Sequence, residues 1–583
     1  MATRLLHCAA ALLLLSACTH KEPQRVAVPF GPPLVNSENG DTTAFVIDLA
    51  PGQSPDDIVP AANKVFSDVR GVAMMFPDAD PRSDPFHLAS VHRLIVKGDG
   101  PDGGPWDDAY ALRDAGGFAR VEPDLPLQLV AQPDPAAAAP MACFKDEGIA
   151  PADRGWAPRD IHVAEARALT PPSGGKRLGA GVRICHPDTG WTAHEDLDDA
   201  QLDKKSGLNL ISGGTDAHDP LGYHGNPGHG TGTGSVLISG GDLLPNSGTS
   251  SPGIVVGVAP KSTLVPIRAI KSVVQVFDSD VARAVNHAVT ARCDVVSMSL
   301  GGRAFFGLER ALKNAVQHDV VVVSAAGNCV GFVVAPASYA NSIAAAATNV
   351  AHDPWEGTSK GSAVDISAPG EDVWVASASD AAGSHAAVKH GDGTSYATAE
   401  VAGAAAVWLA YFGHDRIEAA KHGRTRQAVF LNALRQSARD PCGLPQPPHD
   451  CPWKKDKYGA GILDLEQLLK FDPANNPPAL AADGGDDTVA VLARMFDRPP
   501  PEVRAALTRL LGNPPDLDAK LADLGPELID LATRSPATFR GLLGIPANPA
   551  AFSQPFPTAL ASVSARASRR LASQFAPTGT RPN

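Results

Sequence analysis

The chain has 583 residues, of which 44% are hydrophobic and 19% are charged, with a formal net charge of −13. One hydrophobic core rarely serves so long a chain, and the hydrophobic fraction is ordinary for a globular protein, so we expect two or three domains. The acidic balance excludes a typical nucleic-acid-binding protein, which needs a basic patch, because the basic run near Arg566, Arg569 and Arg570 is short.

The first residues have the pattern of an export signal. Arg4 precedes an apolar run at residues 9–15 that is too short to cross a bilayer stably. The run ends in Leu-Ser-Ala-Cys, which resembles the bacterial lipobox, so we expect residues 1–18 to be a signal and Cys18 to carry a lipid anchor. An ordinary signal peptide with a coincidental cysteine is the alternative. The expected location is the cell envelope, in the outer membrane or periplasm, and release outside the cell after processing is the alternative.

Export also sets the expectation for the cysteines. Apart from Cys8 and Cys18 their number is even, which is consistent with disulfides in an oxidising compartment. We predict a disulfide between Cys442 and Cys451, which flank a proline-rich loop. The pairing of the other cysteines stays open, and two of them lie in apolar strand patterns that also suit small core residues. These others are Cys143, Cys185, Cys293 and Cys329, of which Cys185 and Cys293 are the two in apolar patterns.

A small α+β module follows a tether. Residues 19–40 are proline-rich and lack apolar periodicity, which predicts the tether. Strand patterns lie near residues 44–47, 94–96 and 118–121, and helical patterns at 55–66 and 107–114, so the module occupies residues 41–131. Residues 132–141 form an alanine- and proline-rich linker, which is the clearest domain boundary in the chain.

Strand and helix patterns alternate over residues 142–469. Strands are predicted at 182–185, 295–298 and 320–323, and helices at 279–291 and 308–317. Continuous valine runs indicate strands buried on both faces, as in parallel sheets. The region is therefore predicted to be α/β, a doubly wound and mostly parallel sheet with its site at the carboxyl ends of the strands.

The alternation of strand and helix patterns ends before residues 470–583. Helical patterns near 487–495, 501–511 and 527–533 are short and separated by proline and glycine. We expect a helical or partly disordered extension there.

Four side chains of the α/β region suit amide hydrolysis. Asp188 follows an apolar strand, and His229 lies in a Gly-His-Gly-Thr segment. Ser395 opens an alanine-rich helix, whose dipole favours developing negative charge on the hydroxyl oxygen. Asn328 follows the valine strand and can donate an amide N–H to an oxyanion. A nucleophile, a base, an orienting group and an oxyanion donor are the parts this reaction needs.

In this order the motifs resemble the subtilases. The match comprises Asp-Thr-Gly after the strand, His-Gly-Thr, Ala-Ala-Gly-Asn and Gly-Thr-Ser-Tyr-Ala-Thr, with framework similarity at 366–370 and 458–461. The Asp, His, Ser order is that of subtilisin. The similarity covers roughly residues 150–466. It implies a serine endopeptidase in which Asp188 orients His229, His229 is the general base, Ser395 forms the acyl-enzyme, and Asn328 with the Ser395 backbone N–H binds the oxyanion.

The resemblance also implies partners. A protein or peptide substrate would add as a β-strand to one segment of the chain. The substrate-binding residues implied are Ser299, Leu300, Gly301, Gly302, Ala326 and Gly327. Subtilases often carry an N-terminal inhibitor that ends near Val-Glu-Pro-Asp, which stands here at 121–124, so the N-terminal module is expected to be an inhibitor removed by self-cleavage at the linker. A permanent module is the alternative. No cofactor is expected for the chemistry, and structural calcium can be assigned to no residues.

Two departures from the family pattern are expected to affect the site. Glu400 follows Ala399 where the family has Pro-His, and Cys-His-Pro stands before Asp188 in place of an apolar run. Both are expected to alter the packing or the pH profile.

Three other classes of function remain as alternatives. The first is a metal-binding protein, whose ligands would be Asp216, His218, His224 and His229. No His-Glu-x-x-His helix, which is typical of such sites, accompanies these residues. An esterase would need glycine where Ala397 stands. A catalytically inactive binding protein is the third.

Overall fold

A computed structural model describes residues 42–79, 82–97, 104–126, 153–223, 225–241, 255–273, 276–378, 387–445, 447–449, 451–478, 485–512, 516–544 and 566–575. The predicted signal with Cys18, the tether and the 132–141 linker lie outside these residues. The described chain forms an N-terminal module (42–126), a central domain (153–478) and a C-terminal unit (485–575). No helix within these ranges combines the length and apolar character that crossing a membrane requires.

The N-terminal module is an antiparallel sheet of order β2-β3-β1-β4. Its elements are β1 (Thr42–Asp48), α1 (Ile58–Ala62), β2 (Val69–Met74), β3 (Val91–Lys97), α2 (Pro105–Gly116) and β4 (Arg120–Pro123). The sequence pattern missed β2. An irregularity between Val69 and Gly71 shifts the β2–β3 register, and such a bulge interrupts the period of two that identifies a strand.

The central domain contains a seven-stranded parallel sheet of order β11-β10-β9-β8-β5-β7-β6, which confirms the predicted doubly wound α/β fold. Its strands are β5 (Arg183–Asp188), β6 (Leu208–Asn209), β7 (Thr263–Arg268), β8 (Val295–Met298), β9 (Val321–Ala325), β10 (Ile343–Thr348) and β11 (Ile366–Pro369), with an antiparallel pair of β12 (Val373–Ala376) and β13 (Val388–Gly391). Its helices are α3 (Trp156–Asp160), α4 (Val163–Ala168), α5 (His229–Ile238), α6 (Asp278–Thr290), α7 (Phe306–Gln317), α8 (Thr394–Phe412), α9 (His414–Lys421), α10 (Arg426–Ser437), α11 (Lys455–Tyr458) and α12 (Leu465–Lys470).

Both faces of this sheet are covered. Successive side chains of a strand point to opposite faces. Accordingly, Val321 and Val323 belong to the core under α5 and α8. Val322 belongs to the core under α6 and α7. This is why the strands appear in the sequence as continuous valine runs rather than alternating ones.

The C-terminal unit is helical over its described residues, which is one of the two alternatives expected for this region. Its helices are α13 (Thr488–Phe496), α14 (Pro500–Leu511), α15 (Asp516–Arg534), α16 (Pro536–Leu542) and α17 (Arg569–Ala572). The sequence pattern predicted only residues 527–533 of α15, because a proline inside a helix costs a hydrogen bond and usually marks a helix start. Here Pro526 lies inside α15. One continuous core joins this unit, the N-terminal module and the α6–α7 face of the central sheet.

Two disulfides link described residues. Cys442 pairs with Cys451, at a Cα–Cα distance of 5.6 Å. Cys185 pairs with Cys293, at 5.7 Å. The interpretation of Cys185 and Cys293 as simple core residues was therefore wrong: both are buried, but they are bonded because β5 and β8 are neighbours in the sheet. Cys329 is also disulfide-bonded.

Candidate active site

Three polar side chains meet at the carboxyl edge of the parallel sheet. Asp188 is the last residue of β5, His229 the first residue of α5, and Ser395 the second residue of α8. The turn into α5 depends on Gly228, which has a φ of 74° and whose added Cβ would lie 1.8 Å from the carbonyl oxygen of Ala378. Only glycine accepts both conditions without a shift of the backbone.

The three side chains form one hydrogen-bonded row. His229 Nδ1 lies 2.8 Å from Asp188 Oδ1 and 3.0 Å from Oδ2. His229 Nε2 lies 3.1 Å from Ser395 Oγ. All three residues are buried, and Ser395 is the most exposed at 8%. A hydroxyl, an imidazole and a carboxylate in this row can act as nucleophile, general base and orienting group.

The carboxylate end of the row is held ionised. Burial alone would raise the pKa of Asp188, but the charge and hydrogen bond of His229 outweigh it and lower that pKa below its usual range. The backbone N–H of Thr189 also donates to Asp188 Oδ1, at 2.7 Å. An ionised Asp188 accepts the Nδ1–H of His229 and so directs Nε2 towards Ser395.

The row continues behind Asp188 through Thr233, which sequence reasoning missed, and His186, which it noted only as a departure from the family pattern. Thr233 Oγ1 lies 3.2 Å from Asp188 Oδ2, and His186 Nε2 lies 3.0 Å from Thr233 Oγ1. Burial lowers the pKa of His186, so its ring is neutral. A neutral ring that donates from Nε2 leaves the one proton of the Thr233 hydroxyl to be shared between Asp188 Oδ2 and the carbonyl oxygen of His229, which is 3.1 Å away. The available signal was the polar His186 in an otherwise apolar strand.

Replacing Thr233 by valine should lower kcat/KM about tenfold, because the loss of one hydrogen bond to an ionised carboxylate is of that size. Valine keeps the shape of threonine but cannot donate to Asp188 Oδ2. Thr233→Ser, which keeps the hydroxyl, is the matched control and should stay near the parent. Steady-state kinetics on a peptide substrate decide the matter, and equal losses in both variants would assign Thr233 to packing alone.

Asp219 ties together the segments that flank Asp188 and His229. Its Oδ2 accepts hydrogen bonds from Thr189 Oγ1 at 2.7 Å and from the Gly228 backbone N–H at 3.1 Å. Thr189 Oγ1 in turn accepts from the backbone N–H of Gly230 at 3.1 Å. Asp219 is fully buried. Sequence reasoning missed it, because an Asp-Pro pair in a loop is ordinarily a turn former.

Asn328 has its side-chain amide fixed. Its Oδ1 accepts from the Thr394 backbone N–H at 3.0 Å and from Thr394 Oγ1 at 2.7 Å. Because a backbone N–H can only donate, the Thr394 N–H assigns the oxygen and leaves Nδ2 as the group that can donate elsewhere. Asn328 and the N-terminus of α8 thus lie together beside Ser395.

The implied substrate residues lie around Ser395. Ser299 Oγ donates to the carbonyl oxygen of Ser395 at 2.7 Å, so the segment from Ser299 to Gly302 runs past the nucleophile. The backbone N–H of Gly302 is bonded to Ala335 at 2.7 Å. Ala326 is bonded through both its N–H and its carbonyl within the domain. Gly327 is likewise bonded, through its N–H to Thr394 Oγ1 at 3.3 Å and through its carbonyl oxygen to the Ser359 backbone N–H at 2.8 Å. Because these groups are already paired, the candidates for pairing with an added peptide strand are Ser299, Leu300 and Gly301.

The site does not have the form of a metal centre. Within the described ranges, no group of three or more His, Cys, Asp or Glu side chains is arranged to hold a metal ion. His218 packs edge-on against Trp191, with ring centroids 5.7 Å apart. His224 lies outside the described residues. His229 is engaged by Asp188 and Ser395.

Comparison with known proteins identifies relatives. The Subtilase family profile matches residues 179–457. Subtilisin of Bacillus pumilus is 30% identical over 241 residues, covering 40% of this chain and 78% of that protein. Thermitase of Thermoactinomyces vulgaris is 32% identical over 232 residues, covering 39% of this chain and 74% of that protein. A solved protease structure from Pseudoalteromonas arctica is 23% identical, covers 55% of this chain and 99% of that chain, and has a TM-score of 0.43.

Proposed function

Because the chain belongs to the subtilase family and is a serine endopeptidase, we propose that it hydrolyses peptide bonds with Asp188, His229 and Ser395 as its catalytic triad. The observation that supports this most is the hydrogen-bonded row from Asp188 through His229 to Ser395. As a subtilase, the enzyme needs no cofactor for catalysis. Its substrates are proteins or peptides.

The chemistry follows from the direction of the row. Ser395 Oγ attacks the carbonyl carbon of the peptide bond while His229 Nε2 takes the hydroxyl proton. The negative charge of Asp188 stabilises the imidazolium that forms. His229 then gives its proton to the leaving amine, and an ester of Ser395 remains. Water attacks this ester with His229 again as base, which releases the acid and restores the hydroxyl.

The oxyanion is proposed to bind Asn328 Nδ2 and the backbone N–H of Ser395. The amide orientation that Thr394 imposes supports this role for Nδ2. The Ser395 N–H belongs to the first turn of α8, where backbone N–H groups have no acceptor within the helix. Fixed donors of this kind stabilise charge without reorganising during the reaction.

The pH dependence of kcat/KM should reflect the protonation state of the general base, His229. Protonation of His229 removes the proton acceptor, so kcat/KM should fall on acidification. Asp188 does not add to this limb, because its pKa is lowered and it stays ionised there. Initial rates on a peptide substrate from pH 4 to 9 measure the profile, and a flat profile down to pH 4 would contradict a histidine base.

Glu400 supplies the control for that profile. It is 1% exposed, and burial, aided by the charge of Asp160, raises its pKa well above the usual range. The carboxyl is therefore protonated where the acidic limb lies. Glu400→Gln, which mimics the neutral form, should leave the limb unmoved.

The N-terminal module is proposed to be an inhibitor that the enzyme itself separates at the 132–141 linker. Arg303, which directly follows the segment Ser299 to Gly302, donates from Nη2 to the carbonyl oxygen of Pro123 at 2.9 Å. The end of β4 is thus held beside the proposed substrate segment. Asp48 of β1 binds Arg310 of α7 through both carboxylate oxygens, at 2.9 and 2.6 Å.

Export and lipidation at Cys18 are proposed as well. The two disulfides among the described residues support an oxidising compartment. A lipid on Cys18 would make the uncut chain a lipoprotein of the cell envelope. Mass spectrometry of the N-terminus of the uncut Ser395→Ala chain tests this, since an unmodified N-terminal residue other than Cys18 in that chain would contradict the anchor.

A serine-directed fluorophosphonate separates the protease from an inactive binding protein. Only a hydroxyl activated by a neighbouring base reacts readily with such a probe. The probe should label the wild-type chain at Ser395 and should label neither Ser395→Ala nor His229→Ala. The probe is added after the N-terminal module has been removed, so that a bound inhibitor cannot block the site. A wild-type chain that stays unlabelled without the module would favour the inactive binding protein.

A further inference from the structure

One face of helix α2 in the N-terminal module lies against the C-terminal unit. Trp106 donates its indole N–H to Asp530 Oδ2 at 2.9 Å, and Tyr110 donates its hydroxyl to Glu527 Oε2 at 3.0 Å. Both bonds are buried. Further along the same face, Arg113 pairs with Asp523 at 2.7 Å. Helix α15 therefore covers α2 along most of its length, although more than 400 residues separate the partners in sequence.

The short helix α17 also contacts α2, near both of its ends. Arg570 pairs with Asp114 at 2.9 Å, and the backbone N–H of Arg569 donates to Asp107 at 2.9 Å. The hydroxyl and backbone N–H of Ser568 both donate to Glu527, at 2.8 and 2.6 Å. Two separate stretches of the C-terminal unit thus meet on α2 and are fastened to each other there.

The same unit is held by the central domain. Arg494 Nε donates to the carbonyl oxygen of Ser338 at 2.6 Å. Asp497 accepts from the Ser362 backbone N–H at 3.0 Å and forms an ion pair with Lys457. These contacts lie on α13 and the residues that follow it, whereas the contacts to α2 lie on α15 and α17. The C-terminal unit therefore contacts both the central domain and the N-terminal module.

Asp530 lies where all three parts meet. Its Oδ1 is 3.6 Å from Nε of Arg303, while its Oδ2 accepts from Trp106. Arg303 also contacts Asp278 of the central domain at 3.3 Å and Glu122 of the N-terminal module at 3.8 Å. Arg303, Asp278 and Glu122 are each 1% exposed, so water is excluded from this junction. Removing the N-terminal module would leave some of these buried charges without their partners, and an unpaired buried charge destabilises a protein.

We propose that the C-terminal unit is a clamp that holds the N-terminal module on the central domain after the linker is cut. The face of α2 is the interaction surface, and α15 with α17 is its partner. The consequence for activity rests on the proposed function of the N-terminal module. If that module is the inhibitor, cutting the linker does not by itself release the protease activity. Release then requires a second event that opens the contact between α2 and α15.

The test uses the full-length Ser395→Ala chain with a recognition sequence for an added specific protease inserted at residues 132–141. The chain is immobilised by a C-terminal tag, cut, and washed, and the N-terminal fragment in the washes is followed over time. We expect the fragment to stay bound for hours. The double variant Trp106→Phe and Tyr110→Phe, which lacks both buried donors, should release it about 10- to 100-fold faster, as expected for lost hydrogen bonds to charged groups.

Arg504→Ala is the matched control. Arg504 pairs with Asp518 inside the C-terminal unit, so its loss should not change the release. Amide hydrogen exchange of α2 provides a measurement without any interface variant, and protection should be equal before and after the cut. Release of the fragment within minutes from the parent chain, equal rates for parent and double variant, or loss of α2 protection on cutting would each overturn the clamp. Because an added protease makes the cut in an inactive chain, a failure of self-processing leaves this test unaffected.

Discussion

Replacing Ser395 by alanine should lower kcat about 10⁶-fold, a magnitude taken from the nucleophile of subtilisin itself. The substitution removes the one oxygen that lies 3.1 Å from His229 Nε2, and no other group of the row can form the acyl-enzyme. Because the change deletes a single atom from a small side chain at a helix start, the fold should persist. Hydrolysis of a peptide substrate, followed at high enzyme concentration, measures the residual rate.

A buried serine elsewhere provides the control. Ser437 in α10 is 7% exposed, close to the 8% of Ser395, and its hydroxyl bonds only within its own helix. Ser437→Ala should keep the parental activity. A Ser395→Ala chain that retains more than about a hundredth of the parental kcat would contradict the nucleophile assignment.

The same variant reports on self-processing. The wild-type chain should yield a fragment that begins near residues 130–142, whereas Ser395→Ala should stay full-length, because it has no nucleophile to cut the linker. Immunoblots of membrane and soluble fractions show both the cut and the anchor. If the clamp holds, the wild-type fragments remain together and membrane-bound even after cutting. If both chains run full-length, the N-terminal module is a permanent part of the enzyme.

Asn328→Gly should lower kcat about 10²- to 10³-fold with little change in KM, again a magnitude taken from subtilisin. The oxyanion exists only once Ser395 has attacked, so a donor aimed at it stabilises the transition state and not the bound substrate. The Thr394 contacts at 2.7 and 3.0 Å hold the amide oxygen away from that position and leave Nδ2 for it.

Asn328→Asp is the matched comparison for this prediction. It keeps the size and planarity of the side chain, and an oxygen can still accept from Thr394, but no N–H remains to donate. It should therefore lose at least as much activity as Asn328→Gly. An unchanged kcat in either variant would remove Asn328 from the proposed oxyanion site, and a rise in KM alone would assign it to substrate binding.

Local pattern predicts the sheet because each strand is short, apolar and followed by a helix. The strand at residues 295–298 is predicted with its observed bounds, and the alanine-rich helix that begins near Ser395 is observed as α8. Candidate residues at strand ends and helix starts are predictable for the same reason, since parallel strands place these points at one edge. What pattern cannot predict is contact through space between residues far apart in sequence.

Three features illustrate this limit. His186 and Thr233 are 47 residues apart and become partners only because β5 and α5 pack together. The sequence around Asp219 is that of a turn, but in the structure the carboxylate of Asp219 accepts four hydrogen bonds from three segments of the chain. The role of the C-terminal unit cannot be predicted from its short helical patterns, because its apolar residues share a core with the two other parts of the chain.

The Cys185–Cys293 disulfide has a consequence for a protein that digests proteins. The bond closes a loop with a sequence separation of 108 residues, and that loop contains His229. One accidental nick anywhere between residues 186 and 292 therefore leaves two pieces that remain covalently joined. Since β5 and β8 are adjacent, the joined ends also stay in their sheet positions. A molecule that a neighbour has nicked once within this loop therefore keeps the segment that carries the histidine covalently attached.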